Sequence, residues 1–338
     1  MHEIGAGPTL KTAAVVVSIG IAAFYSAAAG AQTPATGAGP AYPAKPVRFV
    51  LPYGAPGGTP DIVARLLAAK LTEAWGQQVV VEPRVGAGGT IGTEVVANAA
   101  PDGYTILLTS PSHAINATLY SKLPYDAVTD FVPITQLVEV PNILVIHPSV
   151  PARSVKALIA LAKARPGSLN YGSAGSGSSQ HLAGELFKKM AGVDMVHIPY
   201  KGGGGVVVDL VAGQIQLTFG AATSLPYVRS GRLVALAVTT AKRVSSAPNL
   251  PTIAESGLPG YEAPAWYALF APARTPKSII DKVQADTVRA LKAPDVRERL
   301  AFETIQPVGS TSAELAEFLK REIAKWGAII KESGAKVD

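Results

Sequence analysis

The chain has no cysteine among its 338 residues, and that one absence excludes disulfides, thiolate metal sites and cysteine nucleophiles together. Charge is sparse. Asp, Glu, Lys and Arg make up 16% of the residues against 48% hydrophobic ones, which places the chain among globular rather than disordered proteins. The net charge of +6 is scattered, with no run of Lys and Arg that would make a nucleic-acid footprint, so no nucleic-acid partner is expected. Its effect is a modest attraction for anions. No GxxxxGK[ST] segment exists, so there is no P-loop, and no G-x-S-x-G, so there is no nucleophile elbow. The five histidines contain no HExxH pairing, and no two carboxylates stand out for acid–base work. His181, close to Ser178 and Ser179, reads as a loop or capping histidine rather than a catalytic base. Neither a metal nor a cofactor is expected.

What is present begins with an export signal. Lys11 precedes an alanine-rich apolar segment from Thr12 to Ala29, and Ala29-Gly30-Ala31 offers small residues at a cleavage site. That order predicts a secretory signal peptide over residues 1–31 and an exported mature protein, the alternative being an uncleaved anchor helix. Residues 32–46, rich in Pro, Gly and Ala, read as a flexible leader. No later stretch approaches membrane-spanning length.

The mature chain alternates strands and helices, which means βαβ units and parallel sheet. At 338 residues it exceeds one ordinary core, so two domains are expected. FVPITQLVEVPNILVIH (131–147) is extended, apolar and broken at Pro141, and EAPAWYALFAPA (262–273) is a second such run; both read as crossings between domains. Domain 1 is then 47–140 with 273–338 and domain 2 is 141–272, with hinges near 138–147 and 262–272. The apolar stripe Leu315, Phe318, Leu319, Ile323, Trp326 and Ile330 reads as core packing of the last helix on domain 1.

The repeated feature is a glycine-rich loop between a strand and a helix. In PYGAPGGTPDIVARLLAAKL (52–71), Gly54, Gly57 and Gly58 allow a sharp turn, Thr59 is a capping candidate, Pro60 suits the helix start, and Asp61 complements the helix dipole. Further loops follow at Gly86–Gly92, Ser173–Ser179 and Gly202–Gly205. In a parallel sheet this position is the carboxyl edge, where several backbone N–H groups can meet one anion.

These segments carry a family resemblance. YPAKPVRFVLPYGAPGGTPDIVARLLA, GAGGTIGTEVVANAAPDGYTILL, HAINATLY, NYGSAGSGSSQHLAGELFK, IPYKGGGGVVVDLVAGQIQ and WYALFAPARTP occur in the order found in the Bug family, the TctC-like periplasmic solute-binding proteins of tripartite tricarboxylate transporters. The resemblance implies a type II periplasmic-binding-protein-like Venus flytrap, an α/β fold of two domains with mostly parallel sheets joined by two crossing strands. It implies a non-enzymatic receptor that closes on a small carboxylate (dicarboxylate, tricarboxylate or aromatic acid) and delivers it to membrane subunits of the transporter, acting as a monomer. By position, the ligand-binding residues it implies are Tyr53, Ala55, Gly57, Gly58 and Asp61 in the first loop. Gly88 and Thr90 follow in the second, His113 and Asn116 in HAIN, then Ser173, Ser176 and Ser178, and finally Gly202, Gly203 and Gly204. Lys201 is a candidate for a second ligand carboxylate, and Tyr53, Tyr200 and Trp266 for stacking on an aromatic one. Family members often have Pro-Ala after the glycines, where this chain has Gly205-Val206. The alternative reading is an exported α/β enzyme binding a nucleotide through GAGGTIG, although Ile91 stands where the dinucleotide fingerprint needs its third glycine.

Overall fold

The computed structural model describes residues 42–53, 58–200, 202–220, 224–244 and 247–333. The signal-peptide expectation, residues 32–41 of the leader, Ala55, Gly57 and Lys201 lie outside the described residues. The end of the leader, 42–46, is described, with Tyr42 Oη donating to the Gly103 carbonyl at 2.7 Å and Ala44 N–H to Tyr104 Oη at 2.8 Å. The described chain builds eleven strands and ten helices. In order they are β1 (Val47–Leu51), α1 (Thr59–Trp75), β2 (Val79–Pro83), α2 (Thr90–Ala97), β3 (Thr105–Thr109), α3 (Ser112–Leu119) and β4 (Phe131–Val140). The chain continues through β5 (Ile143–Ile146), α4 (Val155–Ala164), β6 (Asn170–Ser173), α5 (Ser179–Ala191), β7 (Val196–Pro199), α6 (Gly203–Val211), β8 (Leu217–Gly220), α7 (Leu225–Arg229) and β9 (Val234–Val238). It ends with β10 (Ala265–Pro272), α8 (Lys277–Leu291), α9 (Pro294–Phe302), β11 (Gln306–Pro307) and α10 (Ser312–Ser333).

Two sheets result, with strand orders β11-β4-β10-β3-β1-β2 and β7-β6-β8-β5-β9. Pairing is parallel within the strand–helix–strand units: β1 with β2 and β3, and β6 with β7 and β8. It is antiparallel wherever β4, β5 or β10 takes part. Each sheet is therefore mixed rather than mostly parallel, because the segments flanking the crossings enter their sheets against the direction of the βαβ strands. The core strands read as continuous apolar runs, as sheets covered on both faces require. Phe49, Leu107, Leu108 and Leu269 are fully buried in the first sheet, and Leu144, Leu217 and Phe219 in the second.

The passage from β4 to β5 is only Pro141 and Asn142, and it is stitched to the return passage. Asn142 N–H donates to Thr239 Oγ1 at 3.1 Å, Thr239 Oγ1 donates back to the Asn142 carbonyl at 3.0 Å, and Asn142 Nδ2 reaches the Ala263 carbonyl at 3.3 Å. Thr239 N–H also donates to the Asn142 carbonyl, and Ala263 N–H to the Thr239 carbonyl, both at 2.9 Å. All these groups are buried, so each bond satisfies a donor that water cannot reach.

Helix α10 packs across the crossing strands. Its buried Glu322 accepts from the indole N–H of Trp266 on β10 and from that of Trp326, each at 2.9 Å, and pairs with Lys325. The helix starts with a reciprocal cap: Thr311 N–H donates to the Glu314 carboxylate at 2.8 Å and Glu314 N–H to Thr311 Oγ1 at 3.2 Å. The apolar stripe is core, with Leu315, Leu319, Trp326 and Ile330 buried. One cap differs from expectation: Gly58, not Thr59, is the N-cap of α1, and like Pro276, the N-cap of α8, it has no side-chain cap. Thr275 instead turns its hydroxyl to the Pro272 carbonyl.

Candidate functional site: a cleft faced by helix N-termini

The parallel strands β1, β3, β6 and β7 all end toward one cavity of about 770 Å³. Its lining includes Tyr53 and Ser110 just beyond β1 and β3, Ala174 just beyond β6, and Gly202 to Gly204 beyond β7. Val140 and Asn142 from the outward crossing, with Ala265 and Tyr267 from the return, form another wall. A side chamber of about 330 Å³ shares Tyr53, Ser112, Ala174 and Ser178 and extends to Gly88, Asn116 and Ser176. Other cavities lie elsewhere, one between β4, α8 and the start of α10, and none of these is lined by a glycine loop.

Four helices present their first residues to this cleft: Gly58, Thr59 and Pro60 of α1, Ser112 of α3, Ser178 to Gln180 of α5, and Gly202 to Gly204 of α6. Each helix start carries unpaired N–H groups and about half a positive charge. On α1 and α6 no side chain caps these donors. On α5, Ser178 Oγ takes only the His181 N–H, at 3.2 Å. Gly202 has φ +115°, where a side chain would be strained, and a side chain at Gly204 would meet nothing within 4 Å. The glycines at α6 therefore leave open space in front of backbone donors.

The loops are braced from behind. The hydroxyl of half-buried Tyr53 bonds to Ser110 N–H and Thr109 Oγ1, and desolvation raises its pKa well above the ordinary phenol value. A Cβ at Gly89 would lie 2.5 Å from the Tyr53 ring, and one at Gly92 would lie 2.6 Å from the Arg84 carbonyl. Asn116 Nδ2 donates to the Gly88 carbonyl at 3.0 Å and Tyr120 Oη to the Ala87 carbonyl at 2.9 Å, tying α3 to the second loop.

Six of the residues singled out in the sequence as ligand contacts do not line the cleft. Asp61 is buried in the first turn of α1, where it accepts from Arg65 Nε at 2.8 Å. Thr90 Oγ1 donates to the Ala87 carbonyl within its own loop. His113 is buried among Tyr125, Phe131 and Phe270, with Nε2–H on the Ala127 carbonyl at 2.9 Å. Desolvation lowers its pKa to about 4, so the ring is neutral. Ser173 is fully buried with its Oγ 2.6 Å from His197 Nε2, and the His197 ring stacks on His181 at 4.0 Å. His181 Nδ1 in turn accepts from Gly177 N–H at 3.1 Å, so these rings support the Ser/Gly loop from inside. Burial lowers the pKa of both, that of His197 to about 4. Tyr200 bonds to Asp209, and Trp266 is core.

Ser110, Ser112, Asn142, Gln180, Tyr227 and Tyr267 also line the cleft, and no motif in the sequence marks any of them as a contact. Strand alternation puts Trp266 and Tyr267 on opposite faces but does not say which one faces a cavity. Among the described residues, no Asp, Glu, Lys, Arg or His lines either chamber, and no group of three or more His, Asp or Glu is placed to hold a metal ion.

A cleft that directs backbone donors at a guest, between two sheets joined by paired crossings, defines a solute-binding receptor. The chain belongs to the TctC family, the tripartite tricarboxylate transporter family receptors, whose profile matches residues 63–335. It is 38% identical to BugT of Bordetella pertussis over 322 residues, 94% of this chain and 98% of BugT. Among solved structures it resembles R. palustris Rpa4515 with adipate (TM-score 0.77, 38% identity, 87% of this chain and 98% of that one). It also resembles the periplasmic binding protein BugD (TM-score 0.74, 34% identity, 87% and 99%). The fold is thus the periplasmic-binding-protein type, and the family is one of receptors, not enzymes, which sets aside the nucleotide-enzyme alternative. No helix among the described residues is long and apolar enough to cross a membrane.

Proposed function

We propose that this chain is a periplasmic receptor that captures a small organic carboxylate in the cleft and delivers it to membrane subunits of a tripartite tricarboxylate transporter. The convergence of four helix starts, with no acidic side chain lining the cavity among the described residues, carries the reading. A carboxylate is the guest whose charge those N–H groups stabilise, and Rpa4515, bound to adipate, is a similar protein. Gly58, Ser178, Gly202, Gly203 and Gly204 are the proposed anion contacts, with Tyr53 positioning its loop and Gly88, Asn116 and Ser176 serving the side chamber. Domains 47–140 with 273–338 and 141–272 would close about the two crossings, and many modest bonds rather than deep ion pairs suit a grip that must reopen.

Thermal unfolding of the purified mature protein, measured against dicarboxylates, tricarboxylates, aromatic acids, amino acids and nucleotides, tests this. Stabilisation by acids that rises with concentration is expected. Stabilisation by nucleotides alone would overturn the assignment.

A further inference from the structure

Resting on that receptor reading, we infer that the cleft selects carboxylates with an uncharged hydrocarbon body and discriminates against amino acids of the same skeleton. Two donors are left unused in it. Gln180 is 9% exposed, and its Oε1 accepts from Ala174 N–H at 3.0 Å, which fixes the amide so that Nε2 lies 3.7 Å from where a Cβ on Gly203 would be. Nε2 has no acceptor among the described residues, and the Tyr267 hydroxyl has no hydrogen-bond partner among them. Both groups donate at neutral pH: the amide does not titrate, and a phenol is protonated there even before burial raises it further. Together with the helix starts they offer hydrogen to a carboxylate from two sides.

Among the described residues, no carboxylate lines the cleft to meet a cation. The acidic residues adjacent in sequence to the lining are turned elsewhere: Asp61 to Arg65, Asp209 to the Tyr200 hydroxyl at 2.6 Å, and Glu139, next to Val140, to the charged group of Glu262, Glu322 and Lys325. The stretches outside the described residues that interrupt these loops, 54–57, 201 and 221–223, contain no Asp or Glu. The remaining wall is apolar, formed by Val140, Val207, Val208, Ala265 and the Tyr227 ring. A hydrocarbon chain or ring loses water favourably against it, whereas an ammonium would be desolvated with no countercharge.

Two matched pairs that differ only by the amino group decide the matter by calorimetric titration of the mature protein: adipate against 2-aminoadipate, and 3-phenylpropanoate against phenylalanine. The amino-free member of at least one pair is expected to bind at least about tenfold more tightly than its partner. Equal or tighter binding of the amino acids would overturn the inference and leave the receptor reading intact. Binding of citrate or malate with neither pair recognised would overturn the hydrocarbon preference. Failure of every acid would remove the receptor reading beneath it. In a folded Gln180→Glu variant the discrimination should shrink, since a carboxylate then faces the ammonium; an unchanged ratio would overturn the part assigned to Gln180.

Discussion

Thr239 Oγ1 and the backbone of Asn142 exchange two hydrogen bonds, at 3.0 and 3.1 Å, across the pair of passages that join the sheets. These two residues stand 97 positions apart in the chain. Asn142 also lines the cleft, so one clamp serves both the joint and the site.

Thr239→Val keeps the β-branched shape but leaves the buried Asn142 N–H without its acceptor. Urea unfolding should show a loss of about 1–3 kcal/mol. An unchanged midpoint would mean that the stitch adds nothing to the backbone bonds beside it.

Tyr53→Phe removes the hydroxyl that gathers Ser110 N–H and Thr109 Oγ1 behind the first loop. A stranded buried donor costs about 1–3 kcal/mol, and ligand affinity should fall because the loop amides lose their backing. Isothermal titration alongside a thermal melt would separate the two effects.

At Gly92 the backbone angles are ordinary and space is the constraint. A methyl group there would sit 2.6 Å from the Arg84 carbonyl and 2.9 Å from Pro52 Cα, both backbone atoms that cannot swing aside. Gly92→Ala should destabilise by about 1–3 kcal/mol by overpacking. Gly204→Ala, which meets nothing within 4 Å, should leave stability nearly unchanged and weaken ligand binding instead.

His113 and His197 each have a folded-state pKa lowered from 6.5 to about 4, chiefly by burial. The unfolded chain then binds more protons between those values, so the stability they contribute is complete above pH 6.5 and lost as pH falls toward 4. Melting temperature should fall across that window. His113→Phe, which retains the aromatic packing and cannot titrate, should show a shallower fall than the wild-type protein.

Much of this architecture could be read from local pattern. The four glycine loops recur after strands and before helices, and the apolar stripe from Leu315 to Ile330 is core, as its spacing implied. Local pattern does not report which way a side chain turns once distant segments arrive. Asp61, His113 and Ser173 sit in the right loops yet face inward, because Arg65, the Phe131–Phe270 ring cluster and His197 claim them. Tyr267 and Gln180 reach the cleft for the same long-range reason. Helix α9 is not legible in the sequence, because only Val296 and Leu300 are buried on it, too thin a stripe to register as a period.

Strand β10 comes from residues 265–272 yet sits between β3 and β4, in the middle of a sheet whose other main strands end by residue 140. A ribosome must deliver residue 272 before that sheet can be completed. Until then the nascent polypeptide has raw edges on both neighbouring strands, and its topology forces late, long-range closure. A product truncated before residue 265 should therefore aggregate instead of surviving as a smaller folded unit.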